Sequence, residues 1–158
     1  MAMENMDTPT ALIFSRQNVK SLPEGTDYQQ TRKGAYIVTG SDEQYDVILV
    51  ASGSEVSTCV AGAELLRKDG VKVRVVSAPS EGLFRRQSKE YQEQILPRDA
   101  KIFGLTAGLP VTIEGLVGAN GKVFGLNSFG FSAPYTVLDE KLGFTPENVY
   151  KQVKEFLA

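Results

Sequence analysis

Two short stretches carry the side chains best suited to holding a charged ligand. Residues 51–57 read ASGSEVS, at the point where an apolar run gives way to helical spacing. Small residues there leave backbone N–H groups open, and the start of a helix carries partial positive charge. Gly53 and Ser54 are therefore a candidate anion-binding turn. The stretch has neither G-x-G-x-x-G nor a Gly-Lys-Ser/Thr ending, and a tight strand-to-helix turn with an ordinary cap would use the same residues. The second stretch is SRQN at 15–18, directly after the apolar run TALIF at 10–14. Arg16 presents a planar fork suited to phosphate, and the end of a strand is where α/β sheets place groups that face ligands. A solvated arginine is the alternative there. Arg85 and Arg86 could steer anions or simply solvate a helix face. Glu114, in VTIEGLVG, would become an acid if buried and is unremarkable if exposed. Cys59 falls on an apolar helix face and reads as a packed core thiol.

The missing residue types exclude more than the present ones suggest. The 158-residue chain contains no histidine. That removes Ser-His-Asp and Cys-His triads, imidazole metal ligands and the one side chain that ordinarily titrates near neutral pH. A single cysteine makes neither an internal disulfide nor a thiolate zinc cluster, so a reducing, cytoplasmic compartment is expected. Asp42, Glu43 and Asp46 lie close together without the spacing of a calcium loop. Lys plus Arg is 17 against 19 for Asp plus Glu, a net charge of −2, which does not favour nucleic acid as a partner. No apolar stretch is long enough to span a membrane, and residues 1–10 lack the pattern of a signal peptide.

The elements that would position these residues follow from periodicity. AYIVT (35–39), DVILVAS (46–52), VKVRVVS (71–77), KIFGL (101–105) and KVFGLN (122–127) read as five strands. Val56, Cys59, Val60, Ala63 and Leu66 share one helical face, and Gly70 stops that helix. Strand, helix and strand over about thirty residues make a right-handed βαβ unit. Two short helical pieces are expected between 81 and 96, a short helix around 113–117, and one over roughly 134–142 capped by Ser132. A last helix opens at Thr145-Pro146-Glu147. Residues 20–33 show almost no hydrophobic periodicity and read as a linker. Alternating strands and helices predict a three-layer α/β/α sandwich.

Taken in order, these segments resemble the C-terminal region of transketolases. The resemblance rests on PTALIFSRQNV at 9–19, the ASGSEV turn within 46–80, FRRQSKEYQEQILP at 84–97, FGFSAP at 129–134 and LGFTPENV at 142–149. It implies a five-stranded mixed, mostly parallel sheet with one antiparallel strand. It also implies three regions: 1–19 as a remnant of the preceding pyrimidine-binding domain, 20–33 as a linker and 34–158 as the C-terminal domain. For the complete enzyme it implies two-carbon ketol transfer between sugar phosphates in the pentose phosphate pathway. That enzyme would be a homodimer using thiamine diphosphate and a divalent metal, Mg or Ca. Arg16 matches the family arginine that binds the substrate phosphate. No other family site residue has a counterpart here: Lys68-Asp69-Gly70 is a helix end and not the Gly-Asp-Gly metal motif. The chain alone is therefore expected to bind no cofactor, to be inactive, and to serve by docking on the missing catalytic domains. Residues 105–120 depart from the family's usual Glu-Ala and aromatic-rich helix, and NSFGFSAP carries Ser128 where many members have Arg.

Two other readings compete. One is a stand-alone regulatory module that binds an anion at Gly53 and Ser54. The other is the equivalent domain of a different thiamine diphosphate enzyme, such as a 2-oxo acid dehydrogenase or a deoxyxylulose phosphate synthase.

Overall fold

Valine, isoleucine and leucine follow one another without a polar break before Ala51, and a strand with that composition must be covered on both faces. In the computed structural model, which describes residues 2–40 and 44–158, this run is the strand β2 (Val47–Ala51), and none of its residues is more than 1% exposed. The described residues place it at the centre of a five-stranded sheet with β1 (Tyr36–Thr39), β3 (Val73–Ser77), β4 (Ile102–Leu105) and β5 (Lys122–Phe124), in the order β1-β3-β2-β4-β5. The edge strand β1 runs antiparallel to β3, and every other pairing is parallel. Leu49 stands opposite Val75 on one side and Phe103 on the other.

Alternation along these strands divides the core in two. Leu49, Val75, Phe103 and Leu105 face α1 (Glu55–Lys68) and α6 (Pro146–Leu157). Ile48, Val50, Val76 and Ile102 face the opposite layer, built from α2 (Glu81–Arg85), α3 (Lys89–Ile95) and α4 (Val111–Val117). Helix α1 ends at Asp69 because Gly70 takes a positive φ of 80°. Helix α6 begins where Thr145 accepts a hydrogen bond from the Asn148 N–H at 3.3 Å and Pro146 supplies a φ already suited to a helix. It packs Val149 and Val153 against α1. Gly62 makes that contact close: a Cβ there would stand 2.8 Å from Val149 Cγ1.

Five expectations meet a different outcome or fall outside the description. Helix α5 (Tyr135–Leu142) is not capped by Ser132; Pro134, at ψ 140°, holds the chain extended up to the first helical residue, which leaves Ser132 too far back. The last strand is shorter than 122–127 because the chain turns off at Gly125 to pass against the Gly108 carbonyl. The polar stretch before the sheet contains a 3-10 helix, Tyr28–Lys33, capped by Asp27, and Leu22 packs against the core on the α1–α6 side. The group Asp42, Glu43 and Asp46 falls partly on 41–43, outside the described residues. TALIF at 10–14 runs without a strand partner, and Leu12, Ile13 and Phe14 are 62%, 94% and 81% exposed.

Candidate functional site at the carboxyl edge of the sheet

In a sheet of this kind, a crevice opens where neighbouring parallel strands send their helices to opposite faces, outside the carboxyl ends of the strands. Here that point lies between β2 and β4. Strand β2 leads through residues 52–54 into α1 on one face, and β4 leads through 106–110 into α4 on the other. The candidate turn at Gly53 and Ser54 therefore sits at the switch point. Gly53 takes a φ of 64°, a conformation that favours glycine.

The crevice already holds an anion, and the anion belongs to the protein. Glu55, the first residue of α1, is partly buried there. Its Oε1 accepts a hydrogen bond from the Ser54 hydroxyl at 2.8 Å. Burial pushes the Glu55 carboxyl above the ordinary glutamate range; the Ser54 hydroxyl and the N–H groups of Glu55 and Ala107 pull it back, and the nearby charge of Asp139 on α5 pushes it up again. Burial also raises Asp139. Ser54 thus spends its hydroxyl on an internal carboxylate, and a second acid stands close by. An incoming phosphate would meet that negative charge.

The arrangement has a consequence for pH dependence. A carboxyl whose folded value lies above its unfolded value binds its proton more tightly in the folded chain, so it favours the fold at low pH and loses that contribution as pH rises through the folded value. The melting temperature of the natural chain should therefore rise relative to that of Glu55→Gln as pH falls from about 7 toward the ordinary glutamate value of 4.5. Parallel pH profiles for the two proteins would show that Glu55 is not the group responsible.

Arg16 reaches the same edge from the N-terminal side. It is exposed, on an arm whose Ser15 Oγ lies 3.6 Å from where a Cβ of Gly53 would be. Gln17, Asn18 and Lys20 continue along a cleft of about 520 Å³ whose other wall includes Ser54, Thr58, Tyr135 and Asp139. Two stretches picked from separate parts of the sequence thus share one edge of the sheet. The remaining candidates lie apart from it or are occupied. Arg85 pairs with Glu81 at 3.0 Å and donates to the Gly115 carbonyl. Arg86 and Glu114 are exposed. Cys59 is fully buried, and burial raises its thiol. Glu55 and Asp139 were not singled out by the sequence; an acid in the first turn after a small residue is the only local signal, and it is shared with ordinary helix starts.

Sheet order, the single reversed edge strand and helices on both faces define a three-layer α/β/α domain with a filled switch-point crevice. The sequence profile described as the transketolase-like C-terminal domain matches residues 34–145. The chain belongs to this family. It is 45% identical over 157 residues to the transketolase of Staphylococcus epidermidis, a match that takes in 98% of this chain and 24% of that protein. Among solved structures, the Pichia stipitis transketolase in complex with sedoheptulose 7-phosphate superposes with a TM-score of 0.82 at 32% identity, over 90% of this chain and 20% of that one. The transketolase of Leishmania mexicana gives 0.81 at 34% identity, with the same coverage. The chain thus spans about a quarter of the length of the curated relatives it matches.

Proposed function

We propose that this chain is the C-terminal domain of a transketolase, and that the complete enzyme moves two-carbon ketol units between sugar phosphates. The observation that carries this reading is the match along nearly the whole chain to only 24% of a transketolase. A relative solved with a bound sugar phosphate supports the substrate class. We assign residues 1–19 to the preceding domain, 20–33 to a linker and 34–158 to the C-terminal domain. Among the described residues no helix is long and apolar enough to cross a membrane.

In the complete enzyme, thiamine diphosphate with a divalent metal supplies the carbanion chemistry. The residues of this chain do not fit that group. Among the described residues no three metal-ligating side chains lie together, and the helix start that might cradle a diphosphate is filled by Glu55. The cofactor is therefore held by the catalytic domains, and this chain acts by docking on them in a homodimer. Ketol transfer should be absent from the isolated chain and present in the complete enzyme with cofactor and metal. Activity in the isolated chain would overturn the assignment. Saturable binding of a sugar phosphate to the isolated chain, lost in Ser54→Ala, would revive the stand-alone anion-binding module.

Arg16 is the one residue here assigned to substrate. A charge-assisted contact to phosphate contributes about 1.5–3 kcal/mol. Arg16→Leu in the complete enzyme should then raise KM for phosphorylated substrates by roughly 10- to 100-fold and leave an unphosphorylated acceptor nearly unaffected. Equal losses for both acceptors would remove Arg16 from the phosphate site.

A further inference from the structure

The two ends of this sheet differ in character. At the amino ends of the parallel strands the loops carry Asp46, Lys72, Arg98, Asp99 and Lys101, all exposed to water. At the carboxyl ends they carry no charge over long stretches: none from 102 to 113, and none from 123 to 138. Exposed loops are ordinarily polar, yet these loops and the first turns of α4 and α5 present Leu109, Val111, Phe129, Phe131, Tyr135 and Val137 to solvent. Phe129 is 96% exposed and Phe131 67%. The loops are joined: the Leu126 N–H donates to the Gly108 carbonyl at 3.0 Å.

Glu55 and Asp139 place acids beside this rim, which disfavours an anionic small molecule there. Depletion of charge together with exposed aromatic residues is the composition of a protein interface core. Two observations name the occupant. Relatives are about four times as long as this chain, by the 24% coverage, and the family is their C-terminal domain. The arm at 15–20, on the side leading to that missing portion, crosses this same edge and lines its cleft. We propose, resting on the assignment to a complete transketolase, that the carboxyl edge of the sheet is the face that docks on the preceding domains, with Phe129 and Phe131 as its anchors.

The test is a Staphylococcus epidermidis transketolase whose matching C-terminal residues are replaced by this chain, compared with this chain alone. Hydroxyl-radical footprinting reads side-chain exposure directly. Phe129 and Phe131 should be oxidised readily in the isolated chain and at least about fivefold more slowly in the chimera, as expected for an interface core. Phe156, whose ring lies 6.0 Å from Lys101 Nζ at the opposite edge, should change little. Phe131→Asp should lower the melting temperature of the chimera while leaving that of the isolated chain within about a degree. An active chimera with both phenylalanines still open would overturn the docking face and leave the transketolase assignment standing. An inactive chimera with both protected would support the docking face and count against the assignment. If the chimera is inactive and both rings remain open, both fall.

Discussion

Replacing Gly34 by alanine should destabilise the fold severely. Gly34 joins the 3-10 helix Tyr28–Lys33 to β1 at a φ of 86°. An added Cβ would stand 2.2 Å from the Phe84 nitrogen and 2.4 Å from the Ser80 carbonyl oxygen. Both are backbone atoms of the segment that starts α2, so neither can swing aside as a side-chain tip can. The left-handed conformation costs an alanine about 1–2 kcal/mol, and the clash adds to that, for a total of about 4 kcal/mol or more. Domains of this size hold only about 5–15 kcal/mol. Gly25→Ala separates the two effects, because Gly25 has a φ of 85° and nothing within 4 Å of its added Cβ. In urea unfolding, Gly25→Ala should lower the midpoint modestly and Gly34→Ala should lower it severely. Similar losses for the two variants would mean the contact with α2 gives way easily.

The second large effect is expected at Phe103. It is fully buried in β4, between Leu49 of β2 and Lys122 of β5 in the sheet register, with its side chain in the α1–α6 layer. Truncating a packed phenylalanine to alanine removes its transfer energy and leaves a cavity, costing about 3–5 kcal/mol. Phe129→Ala is the matched control: the same chemical change at a side chain 96% exposed should alter the stability of the isolated chain by less than about 0.5 kcal/mol. Denaturant midpoints at unchanged m-value would measure both. A Phe103→Ala loss below about 1 kcal/mol would mean that the two layers close over the gap.

How far the sequence carries depends on where the information resides. The run at 46–52 announces a doubly buried strand because burial on both faces leaves no place for a polar residue. The start of α6 is legible at Thr145-Pro146 because a cap and a fixed φ are local chemistry. The five-stranded, mostly parallel sheet with one antiparallel strand agrees with the resemblance to the transketolase C-terminal domain, whereas periodicity by itself gives strands and helices without their neighbours. Arg74 shows what stays hidden. It lies in β3 only 7% exposed, its guanidinium donates to the Gln94 carbonyl at 2.9 Å and stands 4.3 Å from the Tyr45 ring. Those partners are 20 and 29 residues away along the chain, so no window of sequence predicts that a cation there is sheltered. The crevice was hidden for the same reason. Gly53 and Ser54 looked open to an anion because the acid that fills the site acts together with Ala107 and Asp139, from loops and helices far along the chain.

Cys59 gives this domain a property useful at the bench. The lone thiol sits fully buried on the inner face of α1, and burial together with the Glu55 charge raises it away from the reactive thiolate. A thiol-specific reagent added to the native chain can modify only those molecules whose α1 has come away from the sheet. The slow uptake of such a label therefore counts openings of the central βαβ unit, one event per modified chain, without any probe having to be engineered in.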